Sequence, residues 1–257
     1  ELHHSLVFLR PLGLRLGRTQ TVRLYDLPQH GMLQTQNLLT INKNTMNMKT
    51  LDMKAWAESA RNGRRRLAIP IMTHPGIELC GYTVRDAVTD GEVHARAILA
   101  LNDRYPADAC SVIMDLTVEA EAFGAHIVFP ENEVPSVTDT LVHDLSEIEA
   151  LKIPTLEAGR IPQYLKANRI VAEALGDKPL FAGCIGPFSL AGRLFGMTEL
   201  MMATFTEPET IQLLLKKCTR FIGDYCIALK KSGAQGVVIA EPAAGLVSNE
   251  DCSLYSS

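Results

Sequence analysis

The sequence predicts an α/β fold. From Leu67 onward, short and wholly apolar segments of strand length alternate with helix-patterned stretches, and the apolar segments end in glycine or ionisable residues. Strands that are apolar on both faces belong to a parallel sheet covered by helices on either side.

Four segments carry the strand pattern. Leu67 to Met72 ends at Thr73-His74-Pro75-Gly76, and Ala109 to Met114 is closed by Asp115. Pro179 to Ile185 runs into Gly186-Pro187, and Gly236 to Ala240 ends at Glu241-Pro242. Between the first two, Arg85 to Tyr105 reads as one helix with a polar first turn. A second helix places Ile161, Tyr164, Leu165, Asn168, Ala172 and Leu175 on one face, with Gly176 as its stop. A third starts at Thr206-Glu207-Pro208-Glu209, a capping-box pattern with proline in the first turn. Its apolar face is Ile211, Leu214, Leu215, Cys218, Ile222, Cys226 and Leu229, so Cys218 and Cys226 read as packing residues. His126 to Pro130 and Ser136 to Val142 flank Glu131 to Pro135 and read as a hairpin-like excursion.

Both ends depart from this pattern. Residues 1–45 carry five basic and two acidic side chains, and their leucines follow no helix or strand period. They read as a leader outside the fold, non-native or disordered, with a transit peptide as the alternative. The patterned domain spans 46–257, and the chain stops at Ser257 a few residues into a new helix. A net charge of −4 and a pI near 6.0 supply no electrostatic footprint for nucleic acid or an anionic membrane. No apolar run approaches the ~20 residues that span a bilayer. The six cysteines lack any CxxC pair and mostly sit in apolar stretches, which points to a reducing, cytoplasmic setting, and no His/Cys cluster has zinc spacing.

Parallel α/β sheets gather reactive groups at the carboxyl ends of their strands. Those ends nominate His74, Asp115 and Glu241 as catalytic residues, with helix capping as the competing reading for the two acids. Gly183, Cys184, Gly186 and Phe188 are the candidate substrate-binding residues, because glycines let backbone approach a ligand and the following helix start can hold an anion. Arg64-Arg65-Arg66 precedes the first strand and reads as a solvated or partner-facing patch on the opposite rim.

Four such strands fit half of a (β/α)8 barrel or a small doubly wound sheet. A resemblance decides between them. Ala107 to Asp115, Ala122 to Gly124, Pro179 to Pro187 and Gly233 to Pro242, in that order and spacing, resemble the uroporphyrinogen decarboxylase superfamily. The resemblance covers roughly Leu67 to Ser257 and implies a (β/α)8 TIM barrel present as its N-terminal half, about four strands. Two open sheet edges would follow, and a chain that alone is inactive and aggregates or dimerises.

The superfamily divides by chemistry. The decarboxylase branch acts on a tetrapyrrole bearing eight carboxylates, uses no cofactor, and holds the pyrrole N–H groups with an aspartate matching Asp115. Arginines just after the first strand meet the carboxylates there. Here that stretch is Thr73-His74-Pro75-Gly76-Ile77-Glu78-Leu79-Cys80, with no cation until Arg85. The other branch moves a methyl group from methylcobalamin to a thiol activated by zinc, and Glu241 to Gly245 followed by Ser248 looks more like it. The resemblance then implies methylcobalamin as donor, a small-molecule thiol as acceptor, a corrinoid protein as partner, and zinc ligands lying beyond Ser257. The alternatives are uroporphyrinogen decarboxylase and a non-catalytic barrel that carries a corrinoid or tetrapyrrole.

Overall fold

A computed structural model describes residues 51–71 and 73–256, together with the strands Pro11–Leu12 (β1) and Val22–Tyr25 (β2). The helices α1 (Met53–Asn62), α2 (Pro75–Leu79), α3 (Val84–Thr89) and α4 (Gly91–Arg104) lead to β3 (Cys110–Ser111). After α5 (Val118–Phe123) come β4 (Ile127–Val128), β5 (Ser136–Val137), α6 (Leu145–Ala150) and α7 (Ile161–Leu175). The remainder is β6 (Leu180–Ile185), α8 (Pro187–Phe195), α9 (Met197–Thr206), α10 (Pro208–Lys231) and β7 (Gly236–Ala240), then a 3-10 turn (Pro242–Leu246) and α11 (Asn249–Tyr255).

The main sheet has the order β1-β2-β7-β6-β3. β3, β6 and β7 are parallel, as their apolar sequences require, with Cys110 opposite Leu180 and Phe181 opposite Gly236. β2 joins the far edge of β7 antiparallel. The expected leader lies outside the described residues apart from β1 and β2, which are part of this sheet. β4 and β5 form the expected hairpin, a separate two-stranded sheet.

The sheet is covered on both sides. Cys110, Leu180, Ala182, Cys184 and Val237 face the large core with α7, α8 and α10. Ala109, Phe181 and Val238 face the other way and pack with Met53, Trp56, Ile69 and Met114. The Trp56 ring lies 5.9 Å from that of Phe181, so α1 covers this second face. α10 buries every residue of its expected face, and Phe221 and Tyr225 as well.

Several expected elements differ. Leu67–Met72 is not a strand: Pro70 has no N–H to offer a ladder, and Met72 lies outside the described residues. The segment runs beside β3 through one backbone bond, Asp108 N to Ala68 O at 3.0 Å, and through side chains. Ala68 N donates to Asp108 Oδ2 at 2.8 Å, and the Ser111 hydroxyl donates to the Pro70 carbonyl. Asp108 also pairs with Arg65, so one member of the arginine run is engaged rather than merely solvated. Ala109–Met114 contracts to Cys110–Ser111, although Val112 N still donates to Phe181 O at 3.2 Å. The single helix over Arg85–Tyr105 is two helices, because Asp90 adopts an extended conformation and caps α4 by accepting from Glu92 N and Val93 N. The capping box at Thr206 does not form. Thr206 closes α9 with its hydroxyl on the Met202 carbonyl, and Glu207 precedes α10 with Pro208 in its first turn.

Leu214 is fully buried on α10, whereas Ile227 on the same helix is 51% exposed. Leu214→Ala is expected to lower unfolding free energy by about 2–5 kcal/mol, and Ile227→Ala by less than about 0.5 kcal/mol. Denaturant titration of both variants checks the assignment of the two faces.

Candidate functional site

The carboxyl ends of β6 and β7 are locked together by Glu241. Its Oε2 accepts from Phe188 N at 3.0 Å and its Oε1 from Ser189 N at 2.6 Å, so the carboxylate sits on the first amides of α8. The anion expected at this helix start is therefore the protein's own. Burial raises the Glu241 pKa, with the bonds from Ser189 and Phe188 opposing it. Gly186 is required here by space: a Cβ would fall 2.1 Å from Glu241 Oε2. Gly186 N also donates to Ala240 O at 2.7 Å, and Ala243 N to Ser189 Oγ at 3.0 Å, which fixes both strand ends.

The other candidate substrate-binding residues divide. Gly183 faces the second side of the sheet, where the Met114 side chain lies over it. Cys184 points to the large core, 1% exposed, with its sulfur 3.9 Å from that of Cys226. Phe188 is fully buried and stacks on Tyr255 at 6.0 Å between centroids. Neither Cys184 nor Phe188 presents side-chain surface to a ligand, which corrects the expectation from sequence. Each belongs to a face turned toward helices, Cys184 toward α10 and Phe188 toward α11.

Asp115 lies inside the protein rather than on an open rim, its side chain 1% exposed. Oδ1 accepts from Thr117 N at 2.9 Å and Thr117 Oγ1 at 2.7 Å. Oδ2 accepts from Arg160 Nη1 at 2.6 Å and from the Tyr164 hydroxyl at 3.4 Å. Arg160 in turn donates through Nε to Glu121 at 2.5 Å, through Nη2 to Thr117 Oγ1 at 2.8 Å, and to the Val88 carbonyl at 3.2 Å. Its guanidinium lies 4.6 Å from the centre of the Phe129 ring.

Two further buried groups flank this pair. Glu119 is 1% exposed; Oε1 accepts from Ile185 N at 3.0 Å, and Oε2 has no partner among the described residues. Burial pushes its pKa up to about 8, so it is largely protonated at neutral pH. His94 Nε2 accepts from Ile113 N at 3.0 Å, and burial drives its pKa down to about 3, so the ring is neutral. His74 stands within electrostatic reach of Asp115. Both of its ring nitrogens are enclosed and find no hydrogen-bond partner among the described residues, and burial lowers its pKa against the charge of Asp115. His74 and Asp115 are thus brought together, whereas Glu241 serves a separate arrangement at α8.

Arg160, Glu119 and His94 escaped the sequence reading. Arg160 left one local sign, a cation at the position preceding α7 where an oxygen-bearing side chain is favoured. Among the described residues no group of three or more His, Cys, Asp or Glu is arranged to hold a metal ion. No helix among them is long and apolar enough to cross a membrane.

Comparison with known proteins now bears on this geometry. The family model for uroporphyrinogen decarboxylase (URO-D) matches residues 66–256. A methylcobamide:CoM methyltransferase of Methanosarcina mazei is 32% identical over 170 residues, covering 65% of this chain and 50% of that protein. A uroporphyrinogen decarboxylase of Vibrio campbellii is 29% identical over 160 residues, 60% of this chain and 44% of that one. Among solved structures, a methyltransferase from Methanosarcina mazei superposes with a TM-score of 0.66 at 28% identity, covering 72% of this chain and 56% of that one. The chain spans about half the length of the curated relatives it matches.

Removing the charge of Asp115 leaves Arg160 buried with half its compensation. Asp115→Asn is expected to lower stability by about 3–5 kcal/mol, and an unchanged thermal midpoint would contradict the enclosed ion pair. Glu119 supplies a pH test. Its folded pKa of about 8 lies above the ordinary 4.5, so the folded state holds the extra proton between those values. Its contribution is fully present below pH 4.5 and lost as pH rises toward 8. Unfolding free energies measured across that window should fall less steeply in Glu119→Gln than in the parent.

Proposed function

We propose that this chain, which belongs to the uroporphyrinogen decarboxylase family through the match over residues 66–256, is part of a corrinoid-dependent methyltransferase that moves a methyl group from methylcobalamin to a zinc-activated thiol. The observation that carries this reading is the state of the arginines near His74. Arg85, the first cation after it, donates its guanidinium to the Phe129 carbonyl, with Nε at 2.8 Å. Arg160 is consumed by Asp115 and Glu121. A substrate with eight carboxylates would need free cations in a closing pocket, because unpaired buried carboxylates are costly. The methylcobamide:CoM methyltransferase relative and the methyltransferase structure support the same direction.

The described residues hold no group of three or more His, Cys, Asp or Glu placed to bind a metal ion. This chain's own part is to shape and charge the mouth. His74, whose pKa burial lowers against the charge of Asp115, is the group assigned to take the thiol proton at a ring nitrogen. Asp115, anchored by Arg160 and Thr117, stabilises the resulting cation as a fixed negative charge. Glu241 holds the start of α8 against the end of β7. Uroporphyrinogen decarboxylase remains the second reading, favoured by the relative in Vibrio campbellii.

The full gene product, incubated with methylcobalamin and candidate thiols, is expected to yield an S-methyl product by mass spectrometry and to contain zinc. Formation of coproporphyrinogen without any metal would instead establish the decarboxylase. His74→Ala is expected to lower methyl transfer by about 100-fold or more while the thermal midpoint stays put; unchanged turnover would remove His74 from the reaction.

A further inference from the structure

Asp115 has no oxygen left for a proton. Thr117 N and Thr117 Oγ1 occupy one, and Arg160 and Tyr164 occupy the other. The buried acid that the proposed reaction leaves unused is Glu119, in the first turn of α5. Its Oε1 is spent on the amide of Ile185, and its enclosed Oε2 meets no donor or acceptor among the described residues. A glutamine would accept the same amide without ever carrying charge. What glutamate adds at this position is a proton that can leave.

The surroundings decide what that departure does. Arg160 already serves two carboxylates, Asp115 and Glu121. An ionised Glu119 would be a third within electrostatic reach of Asp115 and Arg160, with no cation of its own. Tyr164 from α7 and Tyr225 from α10 also face it, and burial holds both above their ordinary values. Cys184 from β6 faces it too, held above its ordinary value by the Cys226 thiol and by burial. His94 is neutral through burial. Around Asp115 this leaves Glu119 and His74 to change charge near neutral pH. Both ring nitrogens of His74 lack a hydrogen-bond partner among the described residues, so burial and nearby charge, not a bond, set their proton affinity.

We propose that Glu119 is a positioning residue for the proton transfer: by losing its own proton it places a second negative charge beside Asp115 and makes His74 the stronger base. The Glu119 proton goes to solvent, His74 takes the thiol proton, and the sulfur keeps the electron pair. The proposal rests on His74 as the base, but the coupling between Glu119 and His74 is measurable without methyl donor or thiol.

Ring-nitrogen NMR of the histidines in the full protein tests it. The His74 signals, assigned by their loss in His74→Gln, should move a second time as Glu119 ionises at about pH 8, above the ring's own titration. Glu119→Gln should abolish that second step. Methyl transfer by the parent should rise about tenfold per pH unit below that point and then level off. In Glu119→Gln it should lose this limb and stay about tenfold or more below the parent's plateau. A single step in the parent overturns the proposal, whether or not Glu119→Gln folds. So does a second step that survives in Glu119→Gln, or a parent-like pH profile in that variant. Unchanged turnover in His74→Ala, with the second step intact, would instead uphold the coupling and remove His74 as the base.

Discussion

A guanidinium does not shed its proton at any ordinary pH, so burying Arg160 obliges the rest of the chain to surround it with anions and oxygens. Its bonds go to two separate places, Val88 at the end of α3 and the Asp115–Thr117–Glu121 stretch that follows β3, while Tyr164 one turn into α7 donates to Asp115 and offers its ring to the guanidinium. Each bond is individually replaceable, but together they fix how those segments approach one another. Phe129 on the hairpin closes the last side with its ring face. The placement of β3's carboxyl end relative to α7 is thus an electrostatic requirement as much as a packing one.

Glu241 imposes the second constraint, and it works with the opposite sign. There a carboxylate is satisfied by amides at a helix start, with no cation involved. Glu119 links the two arrangements, since it rises from the Asp115 segment to take the amide of Ile185, one residue before Gly186. The carboxyl end of β6 is consequently fixed from both sides, by Glu119 before Gly186 and by Glu241 after it. With so many rim groups already answered, the unanswered ones stand out: His74 near Asp115 and Arg193 at the far end of α8.

The alternation of apolar strands with helices was readable from composition alone, as were α7, the hairpin and the whole buried face of α10. Local periodicity reports such features because each residue's environment is set by neighbours within a turn or two. It failed where one residue overrode the pattern. Asp90 split a continuous helical stretch, and Pro70 denied Leu67–Met72 its ladder. At the site, the strand-end rule nominated Asp115, Glu241 and His74 but could not say what each would touch. Arg160 and Asp115 are 45 residues apart, and Arg193 is notable only because nothing pairs with it. Neither property is written in any short window of sequence. Cys184 and Phe188 lie in the glycine-bearing segment expected at the mouth, but strand alternation turns Cys184 to α10 and Phe188 sits against α11.

α8 joins these observations into one arrangement. Its first turn is fixed by Glu241 and its last carbonyls by the chain after β5, so it cannot rotate or slide without breaking bonds at both ends. Pro187 and Arg193 are six residues apart on it, a rise of about 9 Å at 1.5 Å per residue. A Cβ at Gly192 would fall 2.4 Å from the methyl carbon of Met197, so that side chain would have to shift to admit one. The turn from α8 to α9 also needs a left-handed residue, which Gly196 supplies at φ 94°. The same short helix thus carries Arg193, which makes no hydrogen bond or ion pair among the described residues, and its turn into α9 depends on Gly196.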